Sequence, residues 1–418
     1  MRMPGEDESP SLLRSVVKVL TVSDTPDYEQ PWQTMGAEPS VGSGAIVKTP
    51  RGLRVLTNAH VVENHVFVEV RRYGEAHKFV ATVEGVGHVC DLALLDVADP
   101  RFFEGTSPIE IGDLPNLTDR VSVLGYPMGG DRLSVTEGIV SRIEMNAYTQ
   151  THRSLLTIQI DAAINEGNSG GPVVRDGKLV GVAFQALDEG QNIGYMIASP
   201  VVRHFLDDMA TGTFDGFPAL GINVQSLDSQ AHRASLGLRP DSYDGLLINS
   251  VVFEGSAWGV LEAGDVLMAV DNVQIMSDGS VRLRDDERIR WTYVVTRRQV
   301  GETLPVRIWR DGAMIDVELT LQPPQFLVAE DAYDVKPTYF LHGGLLFVPL
   351  SRDFLKTWGD DWWTSAPGHL LAYFEYGVRS PQRTQVVVLQ KVLADQVTQG
   401  YSDFESLVID SVEGVEIR

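Results

Sequence analysis

The chain has 418 residues, 43% hydrophobic and 22% charged, with a formal net charge of -23. That length exceeds a single domain of roughly 100–200 residues, so two or three domains are expected. The acidity argues against a phosphate-binding surface, because nucleic-acid affinity rests on Lys and Arg displacing counterions, and the single cysteine, Cys90, excludes a disulfide within the chain.

The opening residues, MRMPGEDESP, show no basic stretch followed by an apolar core. No run approaches the roughly 18–20 apolar residues of a membrane span. A cytoplasmic location is therefore expected, or a periplasmic one if the N-terminus has been trimmed.

From about 11 to 198 the chain reads as short strands: SLLRSVVKVL, GSGAIVKT, LRVLTNAHVV, VFVEVRR, HKFVATVEGV, DLALLDV, RVSVLGYP, LLTIQI, GPVVRDGKLVGVAF and NIGYMIA. Val and Ile dominate, with Gly, Pro and Asp as punctuation. Many strands without intervening helices predict an all-β sandwich or barrel. A helix follows over VVRHFLDDMA, with Ser199 as its cap, Pro200 in its first turn and Gly212 past its end. A first domain is thus expected over 11–211.

A second domain is expected over 212–324, up to the linker Pro323-Pro324. Its strands are ALGINVQ, GLLINSV, DVLMAVDNVQI, TLPVRIWR and MIDVELTL. Its helices are SQAHRASLG and DDERIRWTYVVTRRQ. The third, 330–418, repeats the second imperfectly: LHGGLLFV answers FPALGINV, VVLQKV answers LLINSV, and LVIDSVEGVEI answers DVLMAVDNVQI. Two copies of a small α/β module explain this. The second copy stops where the first continues, so either the chain is a fragment or the last module is incomplete.

Three segments carry chemistry: TNAHVV with His60, CDLALLDV with Asp91, and GNSGGP with Ser169. A serine hydroxyl is a weak nucleophile until an imidazole takes its proton. The imidazole in turn needs a buried carboxylate to hold its tautomer. Gly167 lets backbone N–H groups turn inward, so the N–H groups of Gly167 and Ser169 are the expected oxyanion hole. GNSGG also satisfies the nucleophile elbow of α/β-hydrolases. That elbow requires a helix straight after the serine and the order Ser, Asp, His, whereas Pro172 and a strand follow here and His60 and Asp91 precede. The remaining histidines lack metal-ligand spacing, and no phosphate-cradling G-x-x-x-x-G-K-[ST] is present. No metal, nucleotide or other cofactor is expected.

At TNAHVV, DLALL, GYPMGGDRLSVTEGIVSRIE, QIDAAINEGNSGGPVV and NIGYMIASPVVRHFL the sequence resembles the HtrA/Deg serine proteases, and the plant-type members above all. The resemblance covers nearly the whole chain. It implies a mainly β protein: a chymotrypsin-like double β-barrel over 11–211, followed by PDZ-like α+β modules. It also implies ATP-independent endoproteolysis of unfolded or damaged proteins through His60, Asp91 and Ser169, in trimer-based homo-oligomers. A peptide-binding chaperone or scaffold with conditional proteolysis is the alternative.

The loop DAAINEG would rearrange between inactive and active forms. The pocket before the cut would be walled by Ile164, Ala183 and Phe184, with Ala163 at its base, which favours a small or medium aliphatic residue over Lys or Arg. Leu220, Gly221 and Ile222 resemble a loop that binds peptide C-termini, with a helix near Ile289 and Tyr293 lining the groove. The last module, with HGGLLF in that place, would have a structural or assembly role. Tyr28 and Trp32 would serve either trimerisation or local packing.

Overall fold

The computed structural model describes residues 12–128, 130–148, 153–186, 194–239 and 244–417. Residues 1–11 and the stretch 187–193, which includes the start of NIGYMIA, lie outside them. The described residues divide into two compact units. The first holds residues up to Ser23, Ala37–Pro218 and Val270–Glu302; the second holds Asp24–Gly36, Ala219–Ala269 and Thr303 onward.

Twelve strands of the first unit close two barrels. One is built from β1 (Val16–Pro26), β2 (Thr34–Thr49), β3 (Gly52–Thr57), β4 (His65–Arg72), β5 (Lys78–Gly87) and β6 (Leu92–Asp96), in the order β1-β2-β3-β6-β5-β4. The other uses β7 (Arg120–Gly125), β8 (Ser134–Ala147), β9 (Ser154–Ile160), β10 (Pro172–Arg175), β11 (Lys178–Ala186) and β12 (Gly194–Ala198), in the order β10-β11-β12-β9-β8-β7. All neighbours within these barrels are antiparallel where their registers are described.

Alternation explains the closure. In β4, Val68 and Val70 point inward while Phe67 and Glu69 flank them facing away. Val17, Ile46, Val55, Leu95 and Phe102 complete that core. Each such side chain contributes about 1.5–3 kcal/mol when fully buried. With no free edge between the first and last strands, a barrel leaves its ladder groups satisfied.

The helix Ser199–Met209 closes the barrel segment as expected, but Ser199 is its first residue and does not cap it. The preceding residue, Ala198, takes the extended capping conformation, and the buried Ser199 Oγ has no partner among the described residues.

The predicted helix DDERIRWTYVVTRRQ is mostly replaced by a hairpin. β16 (Val273–Gln274) precedes β17 (Ser280–Arg284) and β18 (Glu287–Arg290), which pair antiparallel. Asp285 turns the chain at a φ of 34°, and Ile289 is buried between exposed Arg288 and Arg290. That is a period of two, a strand signal that outweighs the helical reading. Only Thr292–Thr296 is helical. Of the two residues expected on the groove helix, Ile289 lies in β18 and Tyr293 in the short helix Thr292–Thr296.

In the second unit, β13 (Ile222–Gln225), β14 (Leu246–Val251), β15 (Val266–Val270), β19 (Thr303–Arg310) and β20 (Ala313–Thr320) form a sheet in the order β13-β14-β15-β19-β20. Ser229 caps the helix Gln230–Ser235 by accepting from the His232 N–H at 3.3 Å. Farther along, β21 (Phe340–His342), β22 (Leu345–Pro349), β23 (Val387–Val392) and β24 (Leu407–Ile409) form a sheet in chain order. LLINSV and VVLQKV are the middle strands of matching three-strand antiparallel runs, β13-β14-β15 and β22-β23-β24.

Tyr28 and Trp32 pack within this unit. The Tyr28 hydroxyl donates to the Ala332 carbonyl at 3.3 Å, the Tyr28 carbonyl accepts from Gln390 Nε2 at 3.1 Å, and the Trp32 ring meets Tyr339 edge-on at 6.0 Å.

Candidate active site

His60 stands in the short helix Ala59–Val62, which directly follows β3. Asp91 stands between a 3-10 turn (His88–Cys90) and β6, in the left-handed region at φ 52°, ψ 44°. Such a conformation is uncommon outside glycine, though Asp tolerates it better than most residues. Two hydrogen bonds at the turn accompany it: the Asp91 N–H reaches the His88 carbonyl at 3.0 Å, and Asn58 Nδ2 donates to the Asp91 carbonyl at 2.8 Å.

The Asp91 side chain is 1% exposed. One carboxylate oxygen accepts from the His60 backbone N–H at 2.9 Å, and the other meets His60 Nδ1 at 2.7 Å. Both oxygens are thus spent on one residue, which fixes the ring's position and its tautomer. Burial by itself would lower the imidazole's pKa, but the adjacent Asp91 carboxylate outweighs it and the pKa is raised.

Ser169 follows the loop DAAINEG. Its carbonyl accepts from the Ser43 N–H at 2.8 Å. Its neighbour Gly170 has a φ of 84°, and a Cβ there would lie 2.4 Å from Thr57 Oγ1 and 3.0 Å from the Asn58 nitrogen. Only glycine lets this loop abut the segment that ends in His60. The structure therefore joins His60 to Asp91 and brings the serine loop against their support. Among the described residues no hydrogen bond links Ser169 Oγ to His60. Such bonds are often long or misaligned without substrate.

The N–H groups around Ser169 divide sharply. Asn168 donates to Asn165, Gly170 to Ala183 and Gly171 to Asn168, at 2.9–3.0 Å. Those of Gly167 and Ser169, two positions apart, have no acceptor among the described residues.

A residue passed over in the sequence reading organises this loop. Ser43 is fully buried. Its hydroxyl donates to the Gly167 carbonyl at 2.6 Å and accepts from the Tyr126 N–H at 2.8 Å, while its carbonyl accepts from Thr57 Oγ1 at 2.7 Å. The only sequence signal was a serine between two glycines in GSGAIV.

The pocket candidates are nearly closed. Ile164, Ala183 and Phe184 are 8%, 0% and 1% exposed, and the Phe184 ring lies 4.7 Å from that of Tyr148. Ala163 is half-buried, with its carbonyl held by Thr136 Oγ1 at 3.1 Å. In the other unit, Leu220 is buried, Gly221 takes a φ of 69°, and Ile222 opens β13 at an edge of its sheet. The Leu220 and Gly221 carbonyls accept from Ala257 and Val252 at 2.9 and 2.8 Å. Among the described residues, no group of three or more His, Cys, Asp or Glu side chains is placed to hold a metal ion.

The trypsin-like peptidase domain family matches residues 42–182, and the PDZ domain family matches residues 328–418. The sequence is 38% identical over 409 residues to "Putative protease Do-like 3, mitochondrial" of Arabidopsis thaliana, covering 97% of this chain and 70% of that one. It is also 38% identical over 419 residues to "Protease Do-like 2, chloroplastic" of the same plant, covering 99% and 68%. Among solved structures, "HtrA-type protease AlgW with tripeptide" superposes with a TM-score of 0.58 at 25% identity, covering 76% of this chain and 97% of that one.

Proposed function

The chain belongs to the Do-like (Deg/HtrA) family of trypsin-like serine endopeptidases, and from that premise we propose that His60, Asp91 and Ser169 are its catalytic triad. Ser169 Oγ attacks the scissile carbonyl carbon while its proton passes to His60 Nε2. The resulting oxyanion accepts hydrogen bonds from the N–H groups of Gly167 and Ser169. His60 returns the proton to the leaving amine, an acyl-enzyme remains on Ser169, and water releases it with His60 as base. The observation that carries this reading is the pair of free N–H donors at Gly167 and Ser169, flanked by bonded ones.

The substrates are unfolded or damaged proteins, cleaved without ATP after small or medium aliphatic residues. The narrow setting of Ile164 and Ala183 supports that preference. The edge strand β13, entered through Leu220 and Gly221, supports capture of peptide C-termini by strand addition. Assembly as a trimer-based homo-oligomer belongs to the same proposal. A loosely folded protein should be degraded in ATP-free buffer, with termini mapped by mass spectrometry falling after Val or Ala. Cuts dominated by Arg would refute the pocket assignment.

A second reading, a chaperone or scaffold with conditional proteolysis, is favoured by the unformed Ser169–His60 hydrogen bond. Protection of the same substrate from aggregation, with no cleavage by the natural chain, would support it.

Ser43 acts as a positioning residue. Ser43→Ala strands the buried Gly167 carbonyl and Tyr126 N–H. Stability should fall by about 1–3 kcal/mol, and kcat by about 10–100-fold with KM little changed. Steady-state kinetics on a fluorogenic peptide separate the two constants. A change confined to KM would remove Ser43 from the oxyanion loop's support.

No helix among the described residues is long and apolar enough to cross a membrane. The cytoplasmic reading stands as a proposal beside relatives named for the mitochondrion and the chloroplast. Cell fractionation with an antibody to the natural protein decides it.

A further inference from the structure

We propose that a cleft at the end of β4 binds a small oxyanionic ligand, one bearing phosphate or carboxylate groups. The cleft measures about 570 Å³ and is lined by Arg71, Arg72, Tyr73, Tyr126, Arg132 and Leu133, among others. That volume falls in the range of organic ligand sites and exceeds what a bare ion needs.

Its charge runs against the molecule's. Arg71, Arg72, Arg132 and the adjoining Lys18 are four cations facing two carboxylates, Asp131 and Glu75, a surplus of two positive charges in a chain of net -23. Asp131 is shared between Lys18 at 3.2 Å and Arg71 at 3.1 Å. Glu75 pairs with Arg72, whose other terminal nitrogen donates to the carbonyls of Arg101, Phe102 and Glu104. Arg132 is exposed and has no ion pair among the described residues.

The second observation is a stranded donor. Tyr126 is 2% exposed, and its hydroxyl has no hydrogen-bond partner among the described residues. The Nε–H of Arg72, another residue lining the cleft, is also buried without a partner among the described residues. A buried hydroxyl left unbonded costs about 1–3 kcal/mol, and a native structure seldom tolerates that without a use for it. Burial pushes the Tyr126 phenol up to about 12, with the Arg71 guanidinium pulling the other way. It therefore keeps its proton and can donate it. A planar guanidinium and a second N–H are donors only, and a phenol that keeps its proton can donate beside them, so together they suit an oxyanion.

The test is calorimetric titration of the full chain with inorganic pyrophosphate and, separately, with tricarballylate, at low and at physiological ionic strength. Saturable binding of either at one site per chain, weaker at higher salt, is the expected result. Pyrophosphate alone assigns a phosphate ligand, and tricarballylate alone a carboxylate. Arg132→Gln and Tyr126→Phe should each weaken binding about tenfold or more, with unchanged far-ultraviolet circular dichroism. No saturable binding of either probe overturns the proposal, as does binding that survives both substitutions undiminished. Binding is read directly, so the outcome is independent of whether Ser169 is the nucleophile.

Discussion

Ser169→Ala should lower kcat/KM for a fluorogenic peptide by about 10⁴-fold or more while leaving the fold intact. The size follows from chemistry. Without Oγ no acyl-enzyme forms, and what remains is water attacking a carbonyl polarised by the oxyanion donors. The small structural effect follows from the site. The Ser169 side chain makes no hydrogen bond among the described residues, and the loop is held by backbone bonds, Ser169 carbonyl to Ser43 and Gly170 to Ala183. Stability should move by less than about 0.5 kcal/mol. Intact-mass detection of an acyl adduct with a slow ester substrate gives a second readout, present in the natural chain and absent from the variant. A variant within tenfold of the natural rate would mean that another group is the nucleophile.

Asp91→Asn should lower kcat/KM by about 10⁴-fold at pH 7.5, with the fold retained. Both carboxylate oxygens are acceptors, one for the His60 backbone N–H and one for Nδ1–H. An amide has only one oxygen. If that oxygen keeps the backbone N–H, its NH₂ faces Nδ1 and forces the proton to Nε2, where it blocks uptake of the serine proton. If it keeps Nδ1–H, the NH₂ meets the backbone N–H and a buried donor is lost.

The pH profile adds a sign. Burial lowers the His60 pKa and Asp91 more than restores it, to above the ordinary 6.5. The catalytic form is neutral, so the acid limb of kcat/KM in the natural chain should have its midpoint above 6.5 and activity should be lost as pH falls through it. In Asp91→Asn the carboxylate's pull is gone, burial remains, and the limb should shift to lower pH. A limb that stays in place would mean that a group other than His60 controls it.

Much of the fold was legible in the residues. Alternating Val and Ile between Gly, Pro and Asp marked the barrel strands, because a half-buried strand repeats every two residues and turns need those residue types. The segment 285–299 was misread. Its charged and apolar residues satisfy a helical spacing, yet Asp285-Asp286 turn the chain and Ile289 alternates with two arginines. Ser199 was misread by one position, since Ala198 takes the extended conformation in its place. Of the proposed site, His60, Asp91 and Ser169 were visible because nucleophilic catalysis requires those groups in recurrent local settings. Ser43 was not, because its partners Gly167 and Tyr126 lie far along the chain.

The residues in order determined which groups are available: a serine among glycines, a histidine and an aspartate each beside an apolar run, and a family resemblance that comparison bears out. Only the folded chain decided which of them meet. Barrel closure brings Asp91 onto His60 and sets Ser43 behind the serine loop, and leaves two N–H groups without acceptors. Hydrogen bonds act over about 3 Å, whereas the residues that make these are separated by tens of positions, so no local pattern can record them.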